Sequence, residues 1–330
     1  MKAIVYHNYG APDVLHLEEV DKPAPEEDEV LIEVHAASIN SWDWDLLRGR
    51  PFMVRLWGLL KPRNKILGTD IAGRVEAVGR SVTRFSPGDE VFGEKSRRFL
   101  SIGWGGLAEY ACAREDSMML KPASMTYEEA AAVPQVAALA LGCLRYKGQI
   151  QPGQKVLVNG AGGGVGTCAV QIAKLLGAEV TGVDSTEKLD MVRSIGADHV
   201  IDYTKEDFTK NGQCYDRIVD VAAYHSIFDY RRALSPKGVY GVIGGSMARF
   251  FQTAFLGPWL SIIGGKKMGT TGANPNEGLD VIVELIESGQ VVPIIDRCYP
   301  LSEAAEAFRY FGEGHARGKV VITVEHDSQA

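Results

Sequence analysis

Two hydrophobic rhythms divide the chain. Over roughly the first 120 residues, short apolar runs alternate with polar positions and are cut by turn residues, the pattern of β-strands. Val30-Leu31-Ile32-Glu33-Val34 and Gly73-Arg74-Val75-Glu76-Ala77-Val78 are the clearest runs, followed by Val91-Phe92 and Leu107-Ala108-Glu109-Tyr110-Ala111. Pro23-Ala24-Pro25, Ser86-Pro87-Gly88-Asp89 and Gly103-Trp104-Gly105-Gly106 are the turns. Composition shifts near Pro122, and Tyr127-Glu128-Glu129-Ala130-Ala131-Ala132-Val133 opens a helix-rich region. From Lys155 the rhythm becomes strand, helix, strand, helix, which predicts a parallel sheet with crossover helices. Its later strands are His199–Tyr203, Tyr215–Val221 and Gly238–Ile243. Leu189–Ile195 is a short helix stopped by Gly196, and Leu279, Ile282, Val283 and Ile286 mark one face of a later helix.

The first unit of that alternation carries chemistry. Lys155-Val156-Leu157-Val158-Asn159 runs into Gly160-Ala161-Gly162-Gly163-Gly164-Val165-Gly166, and Val165, Ala169, Ile172, Ala173 and Leu176 follow at helical spacing. A strand, a glycine turn and a helix in that order form a phosphate cradle. Glycine lets the backbone approach an anion, and the helix N-terminus offers unpaired N–H groups. Ala161 stands at the first glycine position of G-x-G-x-x-G, with Gly163 and Gly166 at the others. A second strand, Glu179-Val180-Thr181-Gly182-Val183, ends at Asp184, close to the ~20-residue offset at which an acid meets a ribose hydroxyl. A dinucleotide is therefore the expected ligand.

Composition narrows the classes. The 330 residues suffice for one large or two ordinary domains, and 45% hydrophobic with 23% charged residues is a globular balance. A net charge of −7 argues against nucleic acid as the main partner. Five scattered cysteines fit reduced thiols in a cytoplasmic setting, and no signal peptide pattern opens the chain. The apolar stretch from Phe250 to Gly265 is shorter than a membrane span, so no membrane is expected. The segment Arg48 to Lys65 is apolar and basic with no acid. That composition fits a lid over an apolar pocket and an amphipathic helix equally well.

With these residues laid out, the chain resembles a medium-chain dehydrogenase/reductase of the zinc-independent quinone oxidoreductase or enone reductase type, over nearly its whole length. The marks are Asn40 to Asp43, Gly68-Thr69-Asp70-Ile71-Ala72-Gly73, Pro87 to Gly93, Ala131-Ala132-Val133-Pro134, the 161–166 turn, Gly196 to Ile201 and Gly318-Lys319-Val320-Val321. The resemblance implies an α/β protein with a GroES-like β-rich domain (1–122 and 295–330) and a Rossmann doubly wound parallel sheet domain (123–294). The active site then lies in the cleft between them. A cytoplasmic homodimer is the expected state.

Zinc-dependent relatives carry a cysteine and a histidine where this chain has Asn40 and Thr69, neither a usual Zn²⁺ ligand. The structural zinc lobe needs four cysteines, and only Cys112 lies in that region; the seven histidines form no H-x-x-x-H cluster. No zinc is expected. Without a Lewis acid, the easier hydride acceptors are conjugated, because charge delocalises onto oxygen and hydrogen-bond donors hold it. The expected substrate is a small hydrophobic quinone or α,β-unsaturated carbonyl. By resemblance Asn40 lies near nicotinamide and substrate, where its amide either donates to the developing oxyanion or only ties down its loop. Trp42 and Trp44 either wall the pocket or pack in the core, and Asp43 is structural.

Carried over by position, Gly163, Gly164, Val165 and Gly166 meet the pyrophosphate, Val221 and Gly244 flank the nicotinamide half, and Lys319 lies near the adenosine side. Relatives place a threonine near the nicotinamide where this chain has Leu139. Ser185, Thr186 and Lys188 resemble the 2′-phosphate loop of NADPH-using relatives, and Tyr203 matches a tyrosine beside it, although Lys188 reads equally as a solvated helix residue. Asp184 instead suits NAD(H). NADP(H) is favoured and NAD(H) is possible. Two other readings are a zinc-free NAD(P)-dependent alcohol dehydrogenase and a non-catalytic cofactor-binding protein.

Overall fold

The computed structural model of the chain describes residues 1–96 and 105–326. In chain order its elements are β1 (Lys2–Val5), β2 (His16–Glu19), β3 (Glu29–Ser38), α1 (Ser41–Arg48), β4 (Asp70–Val78), β5 (Glu90–Glu94), β6 (Tyr110–Arg114), β7 (Met119–Leu120), α2 (Tyr127–Ala131), α3 (Pro134–Arg145) and β8 (Lys155–Asn159). There follow α4 (Gly164–Leu175), β9 (Glu179–Asp184), α5 (Leu189–Ser194), β10 (His199–Asp202), β11 (Tyr215–Asp220), α6 (Ile227–Ala233), β12 (Leu234–Val242), α7 (Met247–Ile262) and β13 (Lys267–Thr270). The chain closes with α8 (Leu279–Glu287), β14 (Ile295–Pro300), α9 (Ala304–Gly312) and β15 (Lys319–Thr323). The chain divides into a unit of Met1–Gln135, Asn274–Glu277 and Ile295–Ala330, and a unit of Val136–Ala273 and Gly278–Ile294.

The first unit is built on β3. Seven of its ten residues are buried, because the strand pairs with β4 and β6 and, through its C-terminal end, with β15. The sheet runs β14-β15-β3-β4-β5-β7, with β6 attached to β3. Gly73 in β4 is required by proximity: a Cβ there would lie 2.0 Å from the carbonyl oxygen of Glu33 on β3. Ile32, Ile39, Leu47, Ile71 and Phe308 fill the core. The amphipathic α9 contributes Phe308, with Ala304 and Ala307 on the same buried face.

The sequence boundary at 122 lies at 135 in the structure. The reason is α2, a helix opened by Thr126, whose hydroxyl accepts the Glu129 N–H while the Glu129 carboxylate accepts the Thr126 N–H. It packs on β3, β4 and β5 and so belongs to the first unit. The predicted strand from Leu107 starts only at Tyr110, and the turn at Gly103–Gly106 begins outside the described residues.

The second unit is a six-stranded sheet in the order β10-β9-β8-β11-β12-β13, every neighbouring pair parallel. That is the order in which the chain reverses direction beside its first strand, β8, and leaves a crevice at the carboxyl ends. The buried guanidinium of Arg217 on β11 donates to the carbonyls of Cys143 (3.1 Å), Tyr146 (2.7 Å) and Gly148 (2.8 Å), satisfying the acceptors left open where α3 ends. No helix among the described residues is long and apolar enough to cross a membrane.

Candidate functional site

In the second unit the site grows from the end of β8. The N–H groups of Gly160 and Ala161 share the carbonyl of Val183 on β9, at 2.9 and 3.1 Å. Gly160 takes φ +82°, which only glycine adopts without strain. Gly166 is needed for packing, because a Cβ there would sit 2.1 Å from the Gly160 carbonyl oxygen. Gly163 differs. Its φ is −88°, and a Cβ would meet only one atom, at 3.7 Å. Nothing inside the fold demands a glycine at this position, immediately before α4, whose first N–H groups have no intrahelical acceptor. The open side of the turn is where an anion fits.

Asp184 is engaged with that turn. Its buried carboxylate accepts the N–H of Gly162 at 2.7 Å and of Ser185 at 2.9 Å. Lys188 is turned the same way: it is buried, its ammonium lies 3.9 Å from Asp184, and its aliphatic stem lies against Gly162. Ser185 is half-buried, and Thr186 and Tyr203 stand exposed beyond the carboxyl ends of β9 and β10. A cation the sequence reading passed over joins them. Lys205 bonds Thr186 Oγ1 at 3.3 Å and Asp202 at 2.9 Å. Asp202 accepts from the Thr186 and Thr204 hydroxyls as well, and these bonds with Lys205 hold its carboxyl well below the usual range. Lys205 falls at i+3 from Asp202, the one local signal that marked it.

At the ends of β11 and β12, Val221 and Gly244 come together, a Cβ on Gly244 lying 2.9 Å from the Val221 carbonyl oxygen. Beneath them the buried Asp220 accepts from Asn159 Nδ2 (2.7 Å) and the Tyr240 hydroxyl (2.9 Å). Burial raises its pKa to about 6.

In the first unit, Asn40 precedes α1. Its N–H donates to Asp43 Oδ2 (2.9 Å), while Asp43 Oδ1 accepts the Gly68 N–H (2.9 Å), so Asp43 pins the 68–70 segment to the helix start. The Asn40 side chain is buried and saturated. Nδ2 donates to Asp70 Oδ2 at 3.1 Å and to Thr69 Oγ1 at 3.3 Å, and Oδ1 accepts from Lys319 Nζ at 2.5 Å. Lys319, the first residue of β15, also donates to the Ile39 carbonyl (3.1 Å) and lies 4.0 Å from Asp70. The structure places the Lys319 ammonium on Asn40, where two first-unit oxygens accept from it. The Gln135 N–H reaches Asp70 at 3.3 Å.

Asp70 and Glu94 face each other across the β4–β5 ladder, and both are buried. Burial first, and the Asp70 charge second, push the Glu94 carboxyl up to about 8; burial likewise raises Asp43 to about 6 and Asp70. Burial pulls the Lys319 ammonium down, opposed by these carboxylates. The clustering of Glu94, Asp70, Gln135 and Lys319 was invisible in the linear sequence, since only pairing of distant strands assembles it.

Two residues and one segment pack within the first unit. Trp44 packs against the first core, its ring against Gly312 and under the Arg48 guanidinium at 4.5 Å, and Trp42 packs on the same core. The Arg48–Lys65 segment is not an amphipathic α-helix: it holds a 3-10 helix, Phe52–Trp57, fixed to its own unit. The Tyr9 hydroxyl donates to the Gly58 carbonyl at 2.6 Å, and Arg55 Nε donates to the Gly49 carbonyl at 3.0 Å. Val54 is buried, and Phe52, Leu59 and Leu60 are exposed.

Two family models match the chain: alcohol dehydrogenase GroES-like domain over residues 26–123 and zinc-binding dehydrogenase over residues 195–322. The chain is 32% identical to the chloroplast envelope quinone oxidoreductase homolog of Arabidopsis thaliana, over 98% of both proteins. It is 35% identical to the NADPH-dependent alkenal/one oxidoreductase, chloroplastic, of the same plant, over 98% of this chain and 79% of that protein. The chain belongs to the medium-chain dehydrogenase/reductase family. Among solved structures it resembles the quinone oxidoreductase from Coxiella burnetii (TM-score 0.86, 27% identity, 98% and 99% covered). It also resembles the Escherichia coli quinone oxidoreductase complexed with NADPH (TM-score 0.83, 25% identity, 98% and 100% covered). This member, like its relatives, is an oxidoreductase with a GroES-like domain and a parallel-sheet Rossmann domain.

Gly163→Ala is expected to leave thermal stability within about 0.5 kcal/mol while weakening dinucleotide binding. Gly166→Ala is expected to cost about 1–3 kcal/mol through the clash with Gly160; equilibrium denaturation and a binding titration read the two effects. A second expectation concerns pH. The folded pKa of Glu94 lies above its ordinary 4.5, so the folded chain holds the extra proton. This contribution to stability is complete below about pH 4.5 and is lost as pH rises toward 8. Glu94→Gln is expected to leave Tm unchanged at about pH 4 and to raise it by about 2–4 °C at about pH 8.5, read by calorimetry; an equal shift at both values would contradict the assignment.

Proposed function

We propose that the protein reduces quinones or α,β-unsaturated carbonyls with a hydride from NAD(P)H, without a metal, and prefers NADPH. The observation that carries the reading is the donor set around Asn40. An amide and a hydroxyl stand at the two positions where zinc-dependent members keep their ligands, and the Asn40 oxygen already receives an ammonium at 2.5 Å. A divalent cation placed there would meet that positive charge with no thiolate or imidazole to hold it, so zinc does not fit. Among the described residues no three His, Cys, Asp or Glu side chains group as metal ligands.

The nicotinamide, when bound, supplies the hydride, and the protein supplies position and electrostatics. The open face at Gly163 and the N-terminus of α4 receive the pyrophosphate, with Gly164, Val165 and Gly166 contributing backbone; Val221 and Gly244 flank the nicotinamide half. Asn40 holds the substrate oxygen as charge develops on it. Its bond to Thr69 is the longer of the two that its amide donates, 3.3 against 3.1 Å, and is the one a substrate oxygen replaces. A conjugated acceptor spreads the new charge, so hydrogen bonds suffice to stabilise it.

The NADPH preference draws on exposed Thr186, Tyr203 and Lys205 beside half-buried Ser185. Asp184 is already turned onto the Gly162 and Ser185 N–H groups, which weakens its claim on a ribose hydroxyl. The relatives described as NADPH-dependent or solved with NADPH agree with this preference. A homodimer has a candidate surface in the second unit, where β13 edges the sheet and the adjoining α7 exposes Phe255, Trp259 and Ile262.

A panel of alkenals and naphthoquinones with NADPH and NADH, set against alcohols with NADP⁺, is expected to give turnover on the first set with NADPH binding tighter. Lys205→Ala is expected to narrow the gap between the cofactors. Alcohol oxidation alone, or cofactor binding with no turnover, would favour the other two readings. Size-exclusion chromatography with light scattering is expected to give twice the chain mass, and Trp259→Glu to lower it.

A further inference from the structure

We propose that Lys319 is a positioning residue whose ammonium takes the place of the metal, holding the Asn40 amide and the Asp70 carboxylate in the orientation the reaction needs. This rests on the reading of Asn40 as the group beside the substrate oxygen.

A buried ammonium is costly, and an isolated one is not retained unless oxygens surround it. Lys319 is 5% exposed, and its partners are the Ile39 carbonyl, Asn40 Oδ1 and, at 4.0 Å, Asp70 Oδ2. The contacts close a ring, since Asn40 Nδ2 in turn donates to the same Asp70 oxygen. Two further carboxyl groups, Asp43 and Glu94, lie in the field of this ammonium. A ring of this kind does two things that an apolar residue at 319 cannot. It fixes which end of the amide is oxygen, because an ammonium tolerates only the acceptor end. It also draws electron density from the amide oxygen, which makes the Nδ2 protons stronger donors. A carboxamide lacking the ammonium is free to turn by 180° and present its oxygen where its protons stood.

The alternative is a structural ion pair that shapes the loop and nothing more, or a direct contact of Lys319 with the cofactor. The test compares Lys319→Met, Lys319→Arg, Asn40→Ala and the double variant Asn40→Ala/Lys319→Met. Each is assayed for kcat and KM on an enone and for the NADPH Kd by fluorescence. Lys319→Met is expected to lower kcat by about 10- to 100-fold with the NADPH Kd within about twofold of the parent, and Lys319→Arg to recover most of the loss. In the Asn40→Ala background the same Lys319→Met change is expected to cost almost nothing further, because its effect runs through the amide. A large rise in NADPH Kd with kcat retained, or losses that multiply in the double variant, would overturn the proposal.

If Lys319→Met does not fold, Lys319→Met/Asp70→Asn removes the unpaired carboxylate with the lysine; low kcat with intact NADPH binding is again expected, and parental kcat refutes the proposal. Thermal denaturation of the four-variant cycle reads the Lys319–Asn40 coupling without turnover and is expected to be non-additive. A parent enzyme that reduces no quinone or enone would count against the proposed function, whereas an active parent with unchanged Lys319→Met would count against this inference alone.

Discussion

The antiparallel contact between β15 and β3 carries a lysine across 279 positions of sequence to the asparagine that follows β3. The buried polar cluster of the first unit leans on this return. Without β15 the Ile39 carbonyl and the Asn40 amide oxygen lose their donor, and Asp70 becomes a buried carboxylate with no cation near it. A chain that must bury a charge has to bring its partner from wherever the topology allows. Here the tail, not a neighbouring loop, meets that demand, so the last strand is part of the buried cluster around Asn40.

The second unit works by a different constraint, close approach of backbone. Its three informative glycines separate cleanly by cause. Gly160 turns the chain, Gly166 lets α4 lie on the turn, and Gly163 answers to neither requirement. Where conformation and packing account for the first two, the third leaves only the space outside the turn as its reason. The buried Asp184 and Lys188 tie this turn to the end of β9, and Asn159 and Asp220 tie the ends of β8 and β11. These contacts link the ends of β8, β9 and β11 on the side where an anion would sit.

How much of this was legible in the sequence follows from distance along the chain. The strand, the glycine turn and the helix occupy consecutive residues, so pattern alone placed them. Lys188 shows the limit of that method. Its position in the loop after β9 was readable, but not that its side chain folds back under Gly162, which left Lys205 to stand outward. The Asp70–Glu94 pair depends on the register of β4 against β5, and the ring around Asn40 on the register of β15 against β3. Register between distant strands is a property of the whole sheet, and no local pattern encodes it. The segment at 48–65 was ambiguous for a related reason: its composition permits a helix, and contacts with Tyr6 and Tyr9, distant in sequence, help to set its path.

A metal and an ammonium are not equivalent charges, and the difference bears on which substrates the site suits. A divalent ion binds the substrate oxygen directly and stabilises a full alkoxide. An ammonium locked to an amide acts at one remove, as the polarised donor of a hydrogen bond. That weaker help is enough where the incoming charge is shared over a conjugated system and too little where it would settle on one oxygen. The carboxyl groups around the ring point the same way. Asp43 and Asp70 outnumber the single ammonium, and Glu94 relieves the excess by keeping its proton. The cluster therefore keeps an excess of negative charge before a substrate arrives, and it favours an oxygen whose charge is small and diffuse.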